Sequence, residues 1–105
     1  MQNNLFSMHD KVCVITGGSR GLGKAMARAF LEAGAKRVYI TARKAEECDE
    51  TAQELSGLSD NGECIALPGD ISSGEAIGAF AKALAEREDH IDVLVNNAGT
   101  GWTAS

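Results

Sequence analysis

Eight consecutive residues near the start of the chain, Thr16-Gly17-Gly18-Ser19-Arg20-Gly21-Leu22-Gly23, restrict what can be built around them. The apolar run Val12-Cys13-Val14-Ile15 precedes them, and an amphipathic run from Leu22 to Ala33 follows. That order reads as a strand, a glycine-rich turn and a helix. The first amides of a helix lack intrahelical acceptors and together carry roughly +0.5 of an elementary charge. Glycines remove the side chains that would keep a phosphate away from those amides. The stretch therefore reads as an anion-binding turn at the start of an α/β domain.

Three motifs overlap in this turn. Gly17-Gly18-Ser19-Arg20-Gly21 fits the G-x-S-x-G of a nucleophile elbow. Gly18 to Lys24 fits the G-x-x-x-x-G-K of a P-loop, but Ala25 stands where that loop needs a Ser or Thr for magnesium. The third pattern is a dinucleotide turn of the form T-G-x-x-x-G-x-G, carried by Thr16, Gly17, Gly21 and Gly23. Taken alone, the turn leaves all three open.

The rest of the chain separates them. Lys11 to Thr16, Arg37 to Ala42, Glu63 to Leu67 and Ile91 to Val95 read as strands, the first and last as unbroken apolar runs of the kind covered on both faces. Between them lie three helical patterns. The first, Leu22 to Ala33, places Leu22, Met26, Phe30 and Ala33 on one face and ends at Gly34. The second, Ala45 to Leu55, has the face Cys48, Ala52 and Leu55. The third follows the capping box Ser72 to Glu75, turns Ile77, Phe80 and Leu84 inward and runs to Glu88. Its closing charge run, Glu86 to Asp89, reads as a solvated helix end. The alternation β-α-β-α-β-α-β predicts a Rossmann-like, doubly wound parallel sheet, of which this is an N-terminal portion. Residues 1–10 read as a polar lead-in, 11–99 as the nucleotide-binding portion and 100–105 as a tail. Ligands of such sheets sit beyond the C-terminal strand ends. Those ends bring together Thr16 to Gly23, Ala42-Arg43, Asp70-Ile71 and Asn96 to Gly99.

An elbow needs a later histidine near its serine, and the only one, His90, falls before a strand, at the far end of the sheet. A dinucleotide turn needs a residue about twenty positions on to read the adenosine ribose. Ala42, uncharged, stands at that strand end, followed by Arg43, with Arg20 as a second cation in the turn. Guanidinium groups pair with phosphate oxygens, so NADP(H) is favoured over NAD(H).

Composition narrows the remaining classes. A net charge of −5 argues against a nucleic-acid or anionic-membrane partner. No apolar run reaches membrane-spanning length, and Met1 to Asp10 lack the features of a signal peptide. Cys13, Cys48 and Cys64 form no C-x-x-C pair and read as small buried hydrophobes in a cytoplasmic protein. His9 and His90 have no ligand-spaced partners, so no metal site is expected.

Thr16-Gly17-x-x-x-Gly21-x-Gly23, Asp70 after the third strand and Asn96-Asn97-Ala98-Gly99 after the fourth resemble the short-chain dehydrogenase/reductase family over nearly the whole chain, from Lys11 to Gly99. TGGSRGLG with Arg43 resembles the bacterial 3-oxoacyl-acyl-carrier-protein reductases. Gly69 to Ser73 and Asn96 to Trp102 look like the branch associated with rhamnolipid synthesis. The resemblance implies a pyrophosphate turn shaped by Gly17, Gly21 and Gly23, with Leu22 in the same cofactor-binding set. It implies that Ser19 and Arg20 touch the adenosine-side phosphates and that Arg43 holds the 2′-phosphate. Asp70 and Ile71 would border the adenine, and Asn97, Ala98 and Gly99 would pack by the ribose. It further implies carbonyl reduction of a small-molecule or acyl-carrier-linked substrate, in a homo-oligomer whose usual interface helices this chain lacks.

The family's catalytic serine, its tyrosine with a lysine four residues on, and its later asparagine all follow the fourth strand. The single tyrosine here, Tyr39, lies in the second strand with no lysine four residues beyond it. No catalytic residue is therefore assigned, and the chain reads as the cofactor-binding part of a longer reductase, cut short. Two function classes stay open: an NADP(H)-dependent carbonyl reductase active in a longer form, and a non-catalytic nucleotide-binding or residual fragment.

Overall fold

Val12 to Thr16 are all buried, so this strand can only lie inside a sheet with cover on both faces. In the computed structural model, which describes residues 7–17, 21–58, 62–67 and 74–97, it does. The elements are β1 (Val12–Thr16), α1 (Gly21–Glu32), β2 (Arg37–Thr41), α2 (Ala45–Ser56), β3 (Glu63–Ala66), α3 (Gly74–Ala85) and β4 (Val93–Asn96). The four strands form one sheet in the order β3-β2-β1-β4, all pairings parallel. Thr16 lies opposite Thr41 on one side and Asn96 on the other. The strand ends that follow Thr16, Thr41 and Asn96 are thereby level with one another.

Alternate residues divide the sheet's two faces. Cys13, Ile15, Val38, Ile40 and Cys64 meet α1 through Ala27, Phe30 and Leu31, and α2 through Cys48, Ala52 and Leu55. Val12, Val14 and Tyr39 face the other way, against Phe80 and Leu84 of α3. The three thiols are free and buried as expected. Burial pushes Cys13 and Cys48 up to about 11 and Cys64 to about 12, which leaves them packing groups rather than nucleophiles.

Several elements depart from the sequence reading. α1 is rotated: its buried residues are Gly23, Ala27, Phe30 and Leu31, while Leu22 is 68% exposed. Met26 and Ala33 are only partly buried. The cause is Gly23, whose close approach to the Gly17 backbone sets which side of the helix meets the sheet. α3 ends at Ala85 and buries no residue fully; Ile77 is half exposed, and the contact comes from Phe80 and Leu84 in its later turns. β4 begins at Val93 rather than Ile91 and alternates, because Val93 and Val95 pack against the α1 and α2 side of the core while Leu94, on the α3 side, has no cover among the described residues and is exposed. Met8, within the polar lead-in, is buried in the α1 side of the core. A turn with Asp10 at φ 61° carries the chain from Met8 into β1.

The charge run after α3 is not simply solvated. The Glu88 side chain is 6% exposed and takes a two-point grip from Arg37: Nη2 donates to Oε1 at 2.9 Å, and Nε donates to Oε2. The Tyr39 hydroxyl donates to the same Oε2 at 2.5 Å. The charge-assisted bonds from Arg37 first, then the tyrosine, hold the Glu88 carboxyl down at about 2. Burial first, and then the neighbouring Glu88, pushes the Tyr39 phenol up to about 12. Near the start of β4, Asp92 accepts the Val12 amide at 2.8 Å, and His90 Nε2 lies 3.2 Å from the same carboxylate. Both clusters belong to the N-terminal edge of the sheet.

Candidate nucleotide-binding edge

The opposite, C-terminal edge is assembled from three strand ends. β1 ends in Thr16, and its side chain ties β4 to the turn. The Thr16 hydroxyl accepts the Asn97 amide at 2.8 Å and donates to Asn96 Oδ1 at 3.0 Å. Asn97 Nδ2 in turn donates to the Gly17 carbonyl at 3.3 Å. On the other side, the Gly17 amide donates to the Thr41 carbonyl at 2.8 Å, continuing the β1–β2 ladder one residue past the strand. Gly17 is thus held from both neighbours, at a φ of 71° that favours glycine.

That grip decides where α1 starts. A β-carbon at Gly23 would lie 2.2 Å from the Gly17 carbonyl oxygen and 2.7 Å from Asn97 Nδ2. Only a hydrogen fits, so the first turn of α1 can pack directly on the end of β1. Gly21 has a φ of 62°, and a β-carbon there would meet nothing within 4 Å. One glycine is therefore required by contact and the other by backbone angle beside open space. The first turn of α1 carries no acidic residue. The helix's own first turn therefore holds no carboxylate to repel an anion at its amides.

The sequence-predicted site residues divide in two. Gly17, Gly21, Leu22, Gly23 and Asn97 gather around the end of β1, and Arg43 stands exposed two residues past the end of β2. Ser19, Arg20, Asp70, Ile71, Ala98 and Gly99 lie outside the described residues. Thr16 does more than the motif reading gave it: a buried hydroxyl that joins β1, β4 and the glycine turn. Its signal was a threonine closing an otherwise aliphatic strand directly before a glycine. Tyr39 is 1% exposed and committed to Glu88, so it has no route to a substrate at this edge.

An anionic nucleotide fits this edge on three structural grounds: an exposed helix N-terminus without acids, open space at Gly21, and a nearby exposed guanidinium at Arg43. No helix among the described residues is long and apolar enough to cross a membrane, and no group of three or more metal-ligating side chains occurs among them.

Comparison with known proteins places this geometry. The family model for short chain dehydrogenase matches residues 11–105. A rhamnolipids biosynthesis 3-oxoacyl-[acyl-carrier-protein] reductase of Pseudomonas aeruginosa is 48% identical over 100 residues, covering 95% of this chain and 38% of that protein. The chain thus spans less than two fifths of that relative's length. Among solved structures, the Pseudomonas aeruginosa RhlG/NADP active-site complex superposes with a TM-score of 0.83 at 47% identity, over 90% of this chain and 37% of that one. A metagenomic short-chain oxidoreductase in complex with NADP superposes at 0.81 with 40% identity, over 92% and 42%. With the family model matching residues 11–105 and the parallel sheet superposing on these structures, the chain belongs to the short-chain dehydrogenase family.

Proposed function

We propose that this chain is the NADP(H)-binding part of a reductase that delivers a hydride to a carbonyl, with a 3-oxoacyl thioester as the substrate class. The observation that carries the reading is the Gly17–Gly23–Asn97 contact, which holds the N-terminus of α1 at the ligand edge of the sheet. The cofactor and substrate readings draw support from the names of the similar proteins, two of them NADP complexes and one a 3-oxoacyl reductase.

Each residue then has a task. Gly17, Gly21 and Gly23 shape a turn whose amides receive the pyrophosphate, with Ser19 and Arg20 beside its adenosine-side phosphates. Leu22, exposed at the mouth, gives the cofactor an apolar contact. Arg43 pairs with the 2′-phosphate, for which a guanidinium is suited by its fork of donors. Asp70 and Ile71 flank the adenine, the carboxylate accepting from its amino group. Asn97, Ala98 and Gly99 lie along the ribose. Bound NADPH supplies the hydride that reduces the carbonyl carbon. The proton for the carbonyl oxygen does not come from Tyr39, which is buried under α3. It is assigned to a part of a longer protein, as is the substrate pocket.

The test is a fluorescence titration of the chain with NADPH and NADH. Tighter binding of NADPH is expected. In a longer form, Ala42→Asp combined with Arg43→Ile is expected to move the preference toward NADH; an unchanged preference would remove the role given to Arg43. Absence of binding by either nucleotide in any form would overturn the function itself.

A further inference from the structure

β3 lies at the outer end of the sheet order β3-β2-β1-β4, with β2 on one side and no strand on the other among the described residues. In a parallel ladder the N–H and C=O of one residue point to the same neighbour, and successive residues alternate between sides. The Glu63 amide donates to the Lys36 carbonyl at 3.2 Å, and the Leu67 amide to the Ile40 carbonyl at 2.9 Å. Glu63, Ile65 and Leu67 therefore face β2. The backbone groups of Cys64 and Ala66 face the open edge, where a further strand would pair.

At Cys64 that place is taken by a side chain. Ser56 accepts the Cys64 amide on Oγ at 2.8 Å, and its hydroxyl donates to the Cys64 carbonyl at 3.0 Å. One hydroxyl thus makes both bonds that an added strand would make at this residue. Ser56 is the last residue of α2, and the fully buried Leu55 beside it fixes that helix end over the sheet.

We infer that Ser56 guards the β3 edge against strand addition, and that the strand it excludes is the β3 of a second copy of this chain. Two copies related by a two-fold axis present the same edge to each other. Antiparallel pairing about an axis at Ile65 would set Cys64 against the second copy's Ala66, so both outward residues of each strand would be satisfied. It would also set Glu63, the one charge of β3, against Leu67 rather than against its own like. The edge is therefore self-complementary, and the serine hydroxyl keeps it closed by occupying half of its outward positions.

The test uses the 105-residue chain carrying Leu94→Lys, which takes β4 out of the comparison, with Ser56→Ala or Ser56→Thr added to it. Sedimentation velocity measures association, amide hydrogen exchange locates it, and melting temperatures control for folding. Ser56→Ala is expected to lower the concentration of half-association about fivefold or more, the effect of freeing one edge hydrogen bond. Its Cys64 amide should exchange fast in dilute solution and slowly in concentrated solution. Ser56→Thr keeps the hydroxyl and should behave as its parent. Association no stronger than the parent's, or association that leaves Cys64 exchange unmoved, would overturn the guard. Should Ser56→Ala not fold, the parent decides: its Cys64 amide is expected to exchange slowly at every concentration. Free exchange there, or protection that grows with concentration, would overturn the inference as well.

Discussion

A β-carbon built at Gly23 would sit 2.2 Å from the Gly17 carbonyl oxygen, and the atom it meets is backbone, which cannot swing aside. Gly23→Ala is therefore expected to push the first turn of α1 off the sheet, cost about 1–3 kcal/mol of stability and abolish measurable NADPH binding. Gly21→Ala tests a different cause. It has room for a methyl group but a φ of 62°, so a loss of about 1–2 kcal/mol from backbone strain alone is expected. Urea denaturation of the two variants tests both causes: each midpoint is expected to fall, and an unshifted midpoint would remove the cause given for that glycine. The glycine spacing that marks this turn was plain in the sequence. Which glycine answers to a neighbour and which to its own dihedral was not, because the neighbours of Gly23 are six and seventy-four residues away. The same contact explains why Leu22 and the face drawn through it were misjudged. Helical periodicity identifies a stripe, but a single close approach at the helix start selects its rotation.

Among the elements, α3 is the one least held by aliphatic packing, and its attachment divides between Phe80, Leu84 and the Glu88 clasp just beyond its end. Phe80→Ala, at a half-buried position, is expected to cost about 1–2 kcal/mol, while Ile77→Ser, one turn earlier and half exposed, should change stability by less than about 0.5 kcal/mol. The clasp adds a pH dependence. Glu88 titrates at about 2 when folded against 4.5 ordinarily, so its contribution is complete above pH 4.5 and is lost as pH falls toward 2. Tyr39 works at the other limit: its phenol is pushed from 10 to about 12, so the neutral form supports the fold below pH 10 and that support is lost as pH rises through 12. Urea midpoints taken between pH 6 and 3 should fall more steeply for the unsubstituted chain than for Glu88→Gln; parallel curves would show the carboxylate is not a stabilising ion. The strands and helices themselves were legible from periodicity and glycine stops. The clasp was not, since Arg37, Tyr39 and Glu88 belong to separate stretches, and Glu88 sits within a run whose other charges do face water.

For the whole molecule, the parallel sheet and its ligand edge followed from the alternation of strands and helices, whereas the uneven cover of the sheet did not. β1 and β2 are enclosed on both faces; β4 carries Leu94 at 67% exposure. A strand paired on one side with an exposed leucine invites association. In the 105-residue chain, Leu94→Lys is expected to reduce concentration-dependent light scattering with little change in the denaturation midpoint. Unchanged scattering would show that this strand is not where molecules meet.

The Thr16–Asn97 bond spans 81 residues of chain, while β2 reaches β1 after a single helix. During synthesis β1, α1 and β2 can come together long before β4 has left the ribosome, since nearby segments find each other first and distant closures come late. The threonine at the end of β1 is in place early, but the asparagine that braces the glycine turn arrives only with β4, 81 residues later. The nucleotide edge is therefore completed only when β4 docks, and a nascent chain that stops short of Asn97 would hold Gly17 from the β2 side alone, through the Thr41 carbonyl, without the brace from Asn97.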